Sequence, residues 1–424
     1  MKHLVFAVCA MALLVSGCTQ TKKGVPKEGR EAIQVKLETQ QIEKETSVLN
    51  LGNPKIITEW NFLNQNIQNK VPHATISGWK EKSWDENVGK GISSSFIHLP
   101  SPVIHDNMIY TLDSQLKLTK TSKEGDVIWD MSLRDDKDMP AVASIGLAYY
   151  NGLVYVVSGD GIIYAVEPEG DIIWQKDTEK ILRSSPVIYD NKLFVLSANN
   201  ELLALSTKDG ELVWNYKNLE TETNLLGMGI PAIQNKTIVV PFSNGEIIAF
   251  NTDTGEPKWS NILLSYRTFN KIADLGHVLA SPVIEGRVVY LIGNAHQMGA
   301  FHLDTGEEIF TQPIGGQTTP VISGDILFMI TNKDTVVALN KYTGKLIWEK
   351  DLYSKTQKQV RWFTPVMANE HLLIYSGEGD RIIFNMKTGE EVLKELSDKP
   401  FSTPICYDNQ VLIYTDKADL IMYR

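Results

Sequence analysis

Cysteine is scarce in this chain of 424 residues, which contains three. Cys9 lies inside an apolar N-terminal run and Cys18 directly follows that run, so Cys406 stands alone in the remaining sequence. A lone cysteine has no partner for an internal disulfide. We therefore expect side-chain packing, and not covalent cross-links, to stabilise the folded part of the chain.

The chain also lacks long runs of positive charge. It has 41 Lys and Arg against 51 Asp and Glu, which gives a formal net charge of −10, and Lys22-Lys23 is an isolated basic pair. An acidic excess favours solubility and opposes contact with a phosphate backbone. We therefore expect no nucleic-acid partner.

Motifs of catalytic and metal sites are missing as well. The eight histidines form neither H-E-x-x-H nor H-x-H, and His296 and His302 are predicted to lie in a loop and a strand of one repeat. Residues 251–255 faintly resemble a calcium loop but lack the acidic ligand that should follow. We predict no catalytic residues, no metal site and no cofactor, although a carboxylate pair formed between distant repeats stays open.

Apolar residues form one long run, from Leu4 to Val15. A bilayer span needs about 20 residues, so this run is too short. A positive charge at Lys2 precedes the run, and Ser16-Gly17-Cys18 follows it, which resembles a bacterial lipoprotein signal. We predict that residues 1–17 are removed and that Cys18 carries lipid and anchors the chain to a membrane; an ordinary signal peptide with an incidental cysteine is the alternative.

Residues 18–54 are polar and rich in Lys, Glu, Gln and Thr. They show weak periodicity and little turn chemistry, so we predict a lipidated and mostly disordered tether. A short helix between Glu31 and Glu45 is the alternative for part of it.

Two landmarks then recur along the chain. The first is Ser or Thr followed by Pro and Val, or a variant of it, and it is centred on Pro102, Gly146, Pro186, Pro231, Pro282, Pro320, Pro365 and Pro404. The second is a glycine followed four residues later by a large apolar residue, in the pairs Gly125/Trp129, Gly170/Trp174, Gly210/Trp214, Gly255/Trp259, Gly306/Phe310, Gly344/Trp348 and Gly389/Leu393. Each glycine follows its first landmark by 23 or 24 residues. Repeats of this length are typical of β-propeller blades.

One repeat shows how the pattern predicts four strands. Residues 186–189, 193–196 and 202–205 are short apolar runs, and residues 211–214 form a fourth run that ends in Trp214. Asn, Asp and Gly separate the runs, as in tight antiparallel turns. The sequence therefore predicts an all-β fold, an eight-bladed β-propeller of four-stranded antiparallel blades over residues 55–424.

The last repeat stops before its fourth strand. Residues 56–61 have the look of an outer strand, with Trp60 in the place of the repeated Trp, so we predict that this N-terminal strand closes the last blade. We expect large side chains of the outer strands to pack between blades; they are Trp60, Trp129, Trp174, Trp214, Trp259, Phe310 and Trp348.

The unit Ala-Leu/Phe-x-x-x-x-Gly-x-x-x-Trp, as in residues 249–259 and 338–348, resembles the pyrroloquinoline-quinone-type propeller repeat. Eight such repeats behind a lipoprotein signal resemble the BamB family of outer-membrane assembly factors, and residues 271–276 look like the alphaproteobacterial form. The resemblance implies a non-enzymatic scaffold whose partner is BamA, a barrel-inserting outer-membrane protein. An Asp directly after the lipidated cysteine resembles a signal for retention in the inner membrane. Because Thr19 follows Cys18 instead, the resemblance favours the periplasmic face of the outer membrane.

The contact loops of the family correspond to residues 219–230 and 261–280. We expect them on one face of the propeller, because every connection between blades leaves a fourth strand at the same end. The predicted partner-binding residues in them are Leu225, Leu226, Met228, Tyr266, Phe269, Asp274 and Leu275. Leu225 matches a family leucine, whereas Leu226, His277 and Leu279 replace charged residues of better-known members. The alternative is that these side chains only pack over the propeller mouth.

Two other functions stay open. A quinone-dependent dehydrogenase has a similar repeat, but such enzymes usually carry two adjacent cysteines, and this chain has none. The chain could also be a lipoprotein propeller that serves another complex of the cell envelope.

Overall fold

Short alternating and apolar runs fold into β-strands throughout the described part of the chain. The structure is a computed structural model that describes residues 42–94, 98–134, 144–219, 229–263, 280–293, 297–316, 318–355 and 360–424. The predicted lipidation site Cys18 therefore lies outside the described residues. Among the described residues, no helix is long and apolar enough to cross a membrane.

The described residues form eight antiparallel sheets of four strands. Blade 1 contains β2 (Val103–His105), β3 (Met108–Leu112), β4 (Lys117–Ser122) and β5 (Val127–Ser132), and blade 2 contains β6 (Ser144–Tyr150), β7 (Leu153–Ser158), β8 (Ile162–Val166) and β9 (Ile172–Asp177). Blade 3 contains β10 (Val187–Tyr189), β11 (Lys192–Leu196), β12 (Glu201–Ser206) and β13 (Leu212–Lys217), and blade 4 contains β14 (Ala232–Gln234), β15 (Thr237–Pro241), β16 (Glu246–Asn251) and β17 (Pro257–Ile262).

Blades 5 to 7 contain β18 (Val283–Glu285), β19 (Val288–Gly293), β20 (Gln297–His302), β21 (Glu308–Gln312); β22 (Val321–Ser323), β23 (Ile326–Ile330), β24 (Thr335–Asn340), β25 (Leu346–Asp351); β26 (Val366–Ala368), β27 (His371–Tyr375), β28 (Asp380–Asn385) and β29 (Glu391–Leu396). Blade 8 contains β30 (Ile405–Tyr407), β31 (Gln410–Tyr414), β32 (Asp419–Tyr423) and β1 (Lys82–Asn87). The predicted eight-bladed β-propeller is confirmed.

Turn chemistry fixes the first hairpin of several blades. Asp190 and Asn191 between β10 and β11 have φ values of 49° and 58°, and Asp408 and Asn409 of blade 8 have 47° and 62°. Two consecutive positive φ values suit the right-handed twist of a two-residue hairpin, and Asp and Asn tolerate them. These turns set a register in which inner-strand side chains are buried, while the outer strands alternate between exposed and half-buried positions.

An N-terminal strand closes the last blade, but it is not the one that the sequence predicted. Strand β1 pairs antiparallel with β32, and Trp84 lies opposite Met422. Trp60 instead bonds to Ile104 of the inner strand of blade 1 and is buried. The prediction was wrong because residues 56–60 resemble the repeat only in residue type, with two Ile before a Trp. The polar strand around Trp84 has the mostly exposed side chains that the outer strands of other blades show.

Outer-strand tryptophans join six of the eight blades to the next blade. The Trp84 indole donates to the Lys123 carbonyl at 3.0 Å, so the closing strand is tied to blade 1. The same bond runs from Trp129, Trp174, Trp214, Trp259 and Trp348 to Pro168, Thr207, Thr252, Leu303 and Met386. Gly255 shows how tight the contact is, because a Cβ there would lie 2.7 Å from the Trp214 ring. Phe310 lies against Gly344 in the same way.

Residues 42–54 were expected in the tether, but they contact the blades. The Glu45 amide donates to the Leu346 carbonyl at 2.8 Å, and the Asp325 amide donates to the Asn50 carbonyl at 2.8 Å. Ile42 packs against the apolar core of blades 5 and 6. Polar composition hid this contact, since extended backbone binds a sheet edge with little dependence on side-chain type.

Candidate functional site

The innermost strand of each blade presents a free edge to the propeller axis, and an N-terminal segment covers these edges. We name residues 55–77 the plug. At blade 1 the bonding is reciprocal, since the amides of Trp60 and Ile104 each donate to the carbonyl of the other residue at 2.8 Å. A buried backbone group without a partner is costly, so this pairing stabilises the inner edge.

The plug repeats this contact around the axis. In blades 2, 4 and 5 the inner-strand amides of Tyr149, Ile233 and Ile284 donate to plug carbonyls at 2.7–3.0 Å. In blades 7 and 8 the plug amides of Ala74 and Ser77 donate to inner-hairpin carbonyls at 2.9 and 2.7 Å. His73 reaches Ser323 of blade 6, and Phe62 shares an apolar cluster with Ile188 of blade 3. The plug thus contacts all eight blades and lies across the axis on the side of the first hairpin turns.

Asn69 is the most constrained residue of the plug. It is fully buried with a φ of 56°, a value that Asn tolerates better than most residues. Its side-chain amide lies within 3.0–3.2 Å of the carbonyls of Ile230, Pro231 and Pro282. Asn69 therefore joins the plug to the starts of blades 4 and 5.

An ion-pair network reinforces the same region. Lys70 of the plug and Lys341 of blade 6 both bind the carboxylate of Glu285 in blade 5. Burial of Glu285 opposes its ionisation, but hydrogen bonds from the two lysines outweigh burial, so its pKa lies below the ordinary value. The network therefore contributes stability above the ordinary carboxyl pKa, and this is lost only as the pH falls through the lowered pKa.

A shallow cavity of about 410 Å³ lies where the plug passes blades 2 and 3. Its lining includes the amide side chains of Asn61, Gln65 and Asn66 beside Tyr150 and Tyr189. Such a lining offers hydrogen bonds and aromatic faces. Among the described residues, no group of three or more His, Cys, Asp or Glu side chains is placed to hold a metal ion.

Cys406, the free cysteine of the described chain, is buried in blade 8. Burial raises the pKa of its thiol to about 12. The thiol is therefore protonated at neutral pH and a poor nucleophile.

The predicted partner-binding residues fall in two segments, 220–228 and 264–279, that lie outside the described residues. Those residues are Leu225, Leu226, Met228, Tyr266, Phe269, Asp274 and Leu275. The ends of the two segments are described. Leu219 is 76% exposed, and Ile230 donates its amide to the Ser281 hydroxyl at 3.1 Å. The two loops therefore return to the propeller side by side, at the starts of neighbouring blades.

Leu263, at the start of the second loop, is buried in the apolar cluster that blades 4 and 5 share. It lies within residues 261–280, which the sequence assigned to a contact loop. Its role in the structure is to pack between the two blades.

Comparison with known proteins agrees with the architecture. The family model for outer membrane protein assembly factor BamB matches residues 117–350 and 332–423. The outer membrane protein assembly factor BamB of Yersinia pestis is 24% identical over 343 residues, which cover 78% of this chain and 86% of that protein. The crystal structure of BamB from Moraxella catarrhalis superposes with a TM-score of 0.67 at 16% identity, over 80% of this chain and 100% of that chain.

Quinone enzymes share the fold. The quinohemoprotein alcohol dehydrogenase of Comamonas testosteroni superposes with a TM-score of 0.64 at 12% identity, over 86% of this chain and 80% of that chain. Likeness at this level of identity shows common architecture and nothing about chemistry. The family match instead covers most of the propeller, and the chain therefore belongs to the BamB family of outer membrane protein assembly factors.

Proposed function

We propose that this protein is a non-enzymatic, lipid-anchored scaffold at the periplasmic face of the outer membrane. In this proposal it binds the periplasmic part of a BamA-like protein within the machinery that assembles outer-membrane β-barrels. The observation that carries the proposal is the BamB family match across residues 117–423 of an eight-bladed propeller. A scaffold needs a rigid body that displays loops, and this fold supplies one.

Two features of the described structure support a binding role over catalysis. The plug contacts every blade, so backbone and side chains of this chain cover much of the side of the first hairpin turns. Among the described residues, the free cysteine Cys406 is buried, and its protonated thiol is a poor nucleophile.

The two long loops at blades 4 and 5 are the proposed contact with the partner. Their described ends at Ile230 and Ser281 are hydrogen-bonded to each other, so both segments rejoin the propeller at neighbouring blades. In the sequence the segments carry several apolar residues, and exposed apolar residues that group together are typical of interfaces. We therefore assign partner binding to these loops.

Replacing Leu225 and Leu226 together with Asp should abolish capture of the BamA-like partner and leave the melting temperature nearly unchanged. The physical reason is that carboxylates would be desolvated at an apolar interface but not in the free protein. Affinity capture and thermal unfolding of the same preparations measure both effects. Ile181→Asp is the matched control, because Ile181 is an exposed apolar residue of another connection between blades and should tolerate the change.

A melting temperature several degrees lower, with capture retained, would show that the loops only pack over the propeller. Unchanged capture and stability would assign the partner site elsewhere. If the unmodified protein captures a different envelope complex, that result would favour the alternative function, in which this propeller serves another complex of the cell envelope.

The proposed anchor is tested at Cys18. Replacing Cys18 with Ser should leave a precursor that the lipoprotein pathway does not process, because the thiol is the point of lipid attachment. One acyl chain binds a membrane only marginally, so stable anchoring requires more than one. Mass spectrometry and membrane fractionation measure processing and attachment. Normal processing and membrane binding of Cys18→Ser would refute the anchor.

A further inference from the structure

The outer strands of blades 1, 2 and 3 carry exposed apolar pairs just before the repeated Trp. The pairs are Val127-Ile128, Ile172-Ile173 and Leu212-Val213, and these side chains are 40–52% exposed. Each outer strand is the last strand of its sheet. We name these six side chains the apolar belt, because they occupy matching places on three consecutive blades. Exposed apolar side chains on a sheet edge favour pairing with another strand.

Blade 6 shows what such an edge binds, because its own equivalent is covered. The Glu45 amide donates to the Leu346 carbonyl, and the Leu346 amide donates to the Glu43 carbonyl, both at 2.8 Å. The added segment runs parallel to β25, and Leu346 is buried. A short extended piece of this chain is therefore bridged to the outer edge of blade 6 at Lys44.

The register of the sheets identifies the corresponding residue in every blade. The pairing of each outer strand with its neighbour has a β-bulge, and Leu346 lies opposite Leu339 directly beside the bulge of blade 6. Val127, Ile172 and Leu212 occupy the same place beside the bulges of blades 1 to 3. The same place holds Pro257 in blade 4, Glu308 in blade 5, Glu391 in blade 7 and Lys82 in blade 8. Proline lacks the amide that the bond requires, and charged residues protect edges from pairing. Blades 1 to 3 thus share the apolar edge of blade 6 while the other four are blocked.

The charged side chains near the edges of blades 2 and 3 differ from those near the edge of blade 6. There, Lys345 pairs with Glu43 at 2.9 Å, and the Asn340 side chain donates to Glu45 at 2.6 Å. In blade 2 the residues in these two places are Asp171 and Glu167. The glutamates of residues 42–45 would be repelled there, whereas a basic strand would be attracted. Lys176, which lies further along β9 of blade 2, pairs with Glu211 of blade 3, so the charge of Glu211 is neutralised there and blade 3 is less acidic at this position.

We propose that the outer edge of blade 2 binds an extended, cationic segment of a partner protein, which adds as a fifth strand parallel to β9. The amide and carbonyl of Ile172 form the backbone bonds, Ile172 and Ile173 contact apolar side chains of the segment, and Glu167 and Asp171 bind its basic residues. The edges of blades 1 and 3 extend the apolar surface on either side. This site is separate from the loops of blades 4 and 5 and does not depend on the proposed function.

The test uses two labelled peptides and the full-length mature protein. One peptide has the sequence of residues 39–48, and the other carries Glu43→Lys and Glu45→Lys in that sequence. Fluorescence anisotropy should show that the lysine peptide binds at least roughly tenfold more tightly, as expected for two charge reversals beside carboxylates. Hydrogen exchange should show that the bound peptide protects the Ile172 amide.

Ile172→Pro should weaken binding of the lysine peptide roughly tenfold by removing one backbone donor. The fold should tolerate this change, since Pro257 occupies the same place in blade 4. Glu391→Pro in blade 7 is the matched control and should bind like the unmodified protein. If Ile172→Pro alters the melting temperature, Ile172→Glu copies Glu391 and should weaken binding equally.

Equal affinity for the two peptides would overturn the charge assignment and with it the proposal. Unchanged affinity of both Ile172 variants, or protection of amides away from β9, would do the same.

Discussion

Removal of residues 19–87 is expected to leave a chain that does not unfold cooperatively, whereas removal of residues 19–41 should shift the melting temperature by no more than about 2 °C. The long deletion takes away the plug and β1, so it frees the inner edges of the blades and the outer edge of β32. Unpaired edges cost backbone hydrogen bonds and promote aggregation. Calorimetry and light scattering of the truncated proteins measure both consequences.

Removal of residues 19–77 separates the plug from the closing strand. This protein keeps β1 and the Trp84 indole bond to blade 1, so it should still unfold cooperatively but at a clearly lower temperature than the full chain. Equal melting temperatures for this truncation and the shorter one would contradict the structural role of the plug. Equal behaviour of this truncation and the longest one would contradict closure by β1.

Replacing Asn69 with Asp should be among the most damaging single changes, with a loss of about 3 kcal/mol or more of unfolding free energy. The side-chain amide of Asn69 faces three carbonyl oxygens, and a carboxylate of the same shape would place negative charge against all three. Urea unfolding measures the loss. Asn64 is the matched control, because it is a buried asparagine of the plug that donates one bond to Asn69.

Asn64→Ala should therefore cost only about 1 kcal/mol. If Asn69→Asp is as stable as the unmodified protein, the plug is not held through this residue. If both variants lose the same free energy, general loosening of the plug explains the result better than the three carbonyl bonds.

Much of the fold could be predicted from sequence, because both landmarks have local causes. Gly255 needs a positive φ and the absence of a Cβ against Trp214, and Asp190-Asn191 suits a two-residue hairpin. The glycine recurs in seven blades and a tight first hairpin in all eight, so the blade number and phase followed from the residues. The identity of the closing strand did not, since residue type favoured the segment around Trp60 and the tertiary pairing instead uses the strand around Trp84.

The plug could not be predicted because backbone atoms make most of its bonds. Ile67 and Gln68 bind blades 4 and 5 through their carbonyls, which any side chain would allow. Asn69 could not be recognised in the sequence, because an asparagine that is buried in the structure is not distinguishable from one in an exposed loop. The apolar belt was similarly hidden, because the sequence placed Val-Ile and Ile-Ile on outer strands but did not show that their side chains are exposed.

We propose that this propeller binds the BamA-like protein of the machinery that assembles outer-membrane β-barrels. The most direct test is the equilibrium affinity of the purified mature protein for the periplasmic domains of the BamA-like protein from the same bacterium, measured by calorimetry. We predict saturable one-to-one binding that the double change Leu225→Asp and Leu226→Asp abolishes. No detectable heat or saturation at concentrations of about 100 μM, a range weaker than most specific complexes, with both proteins folded, would contradict the account.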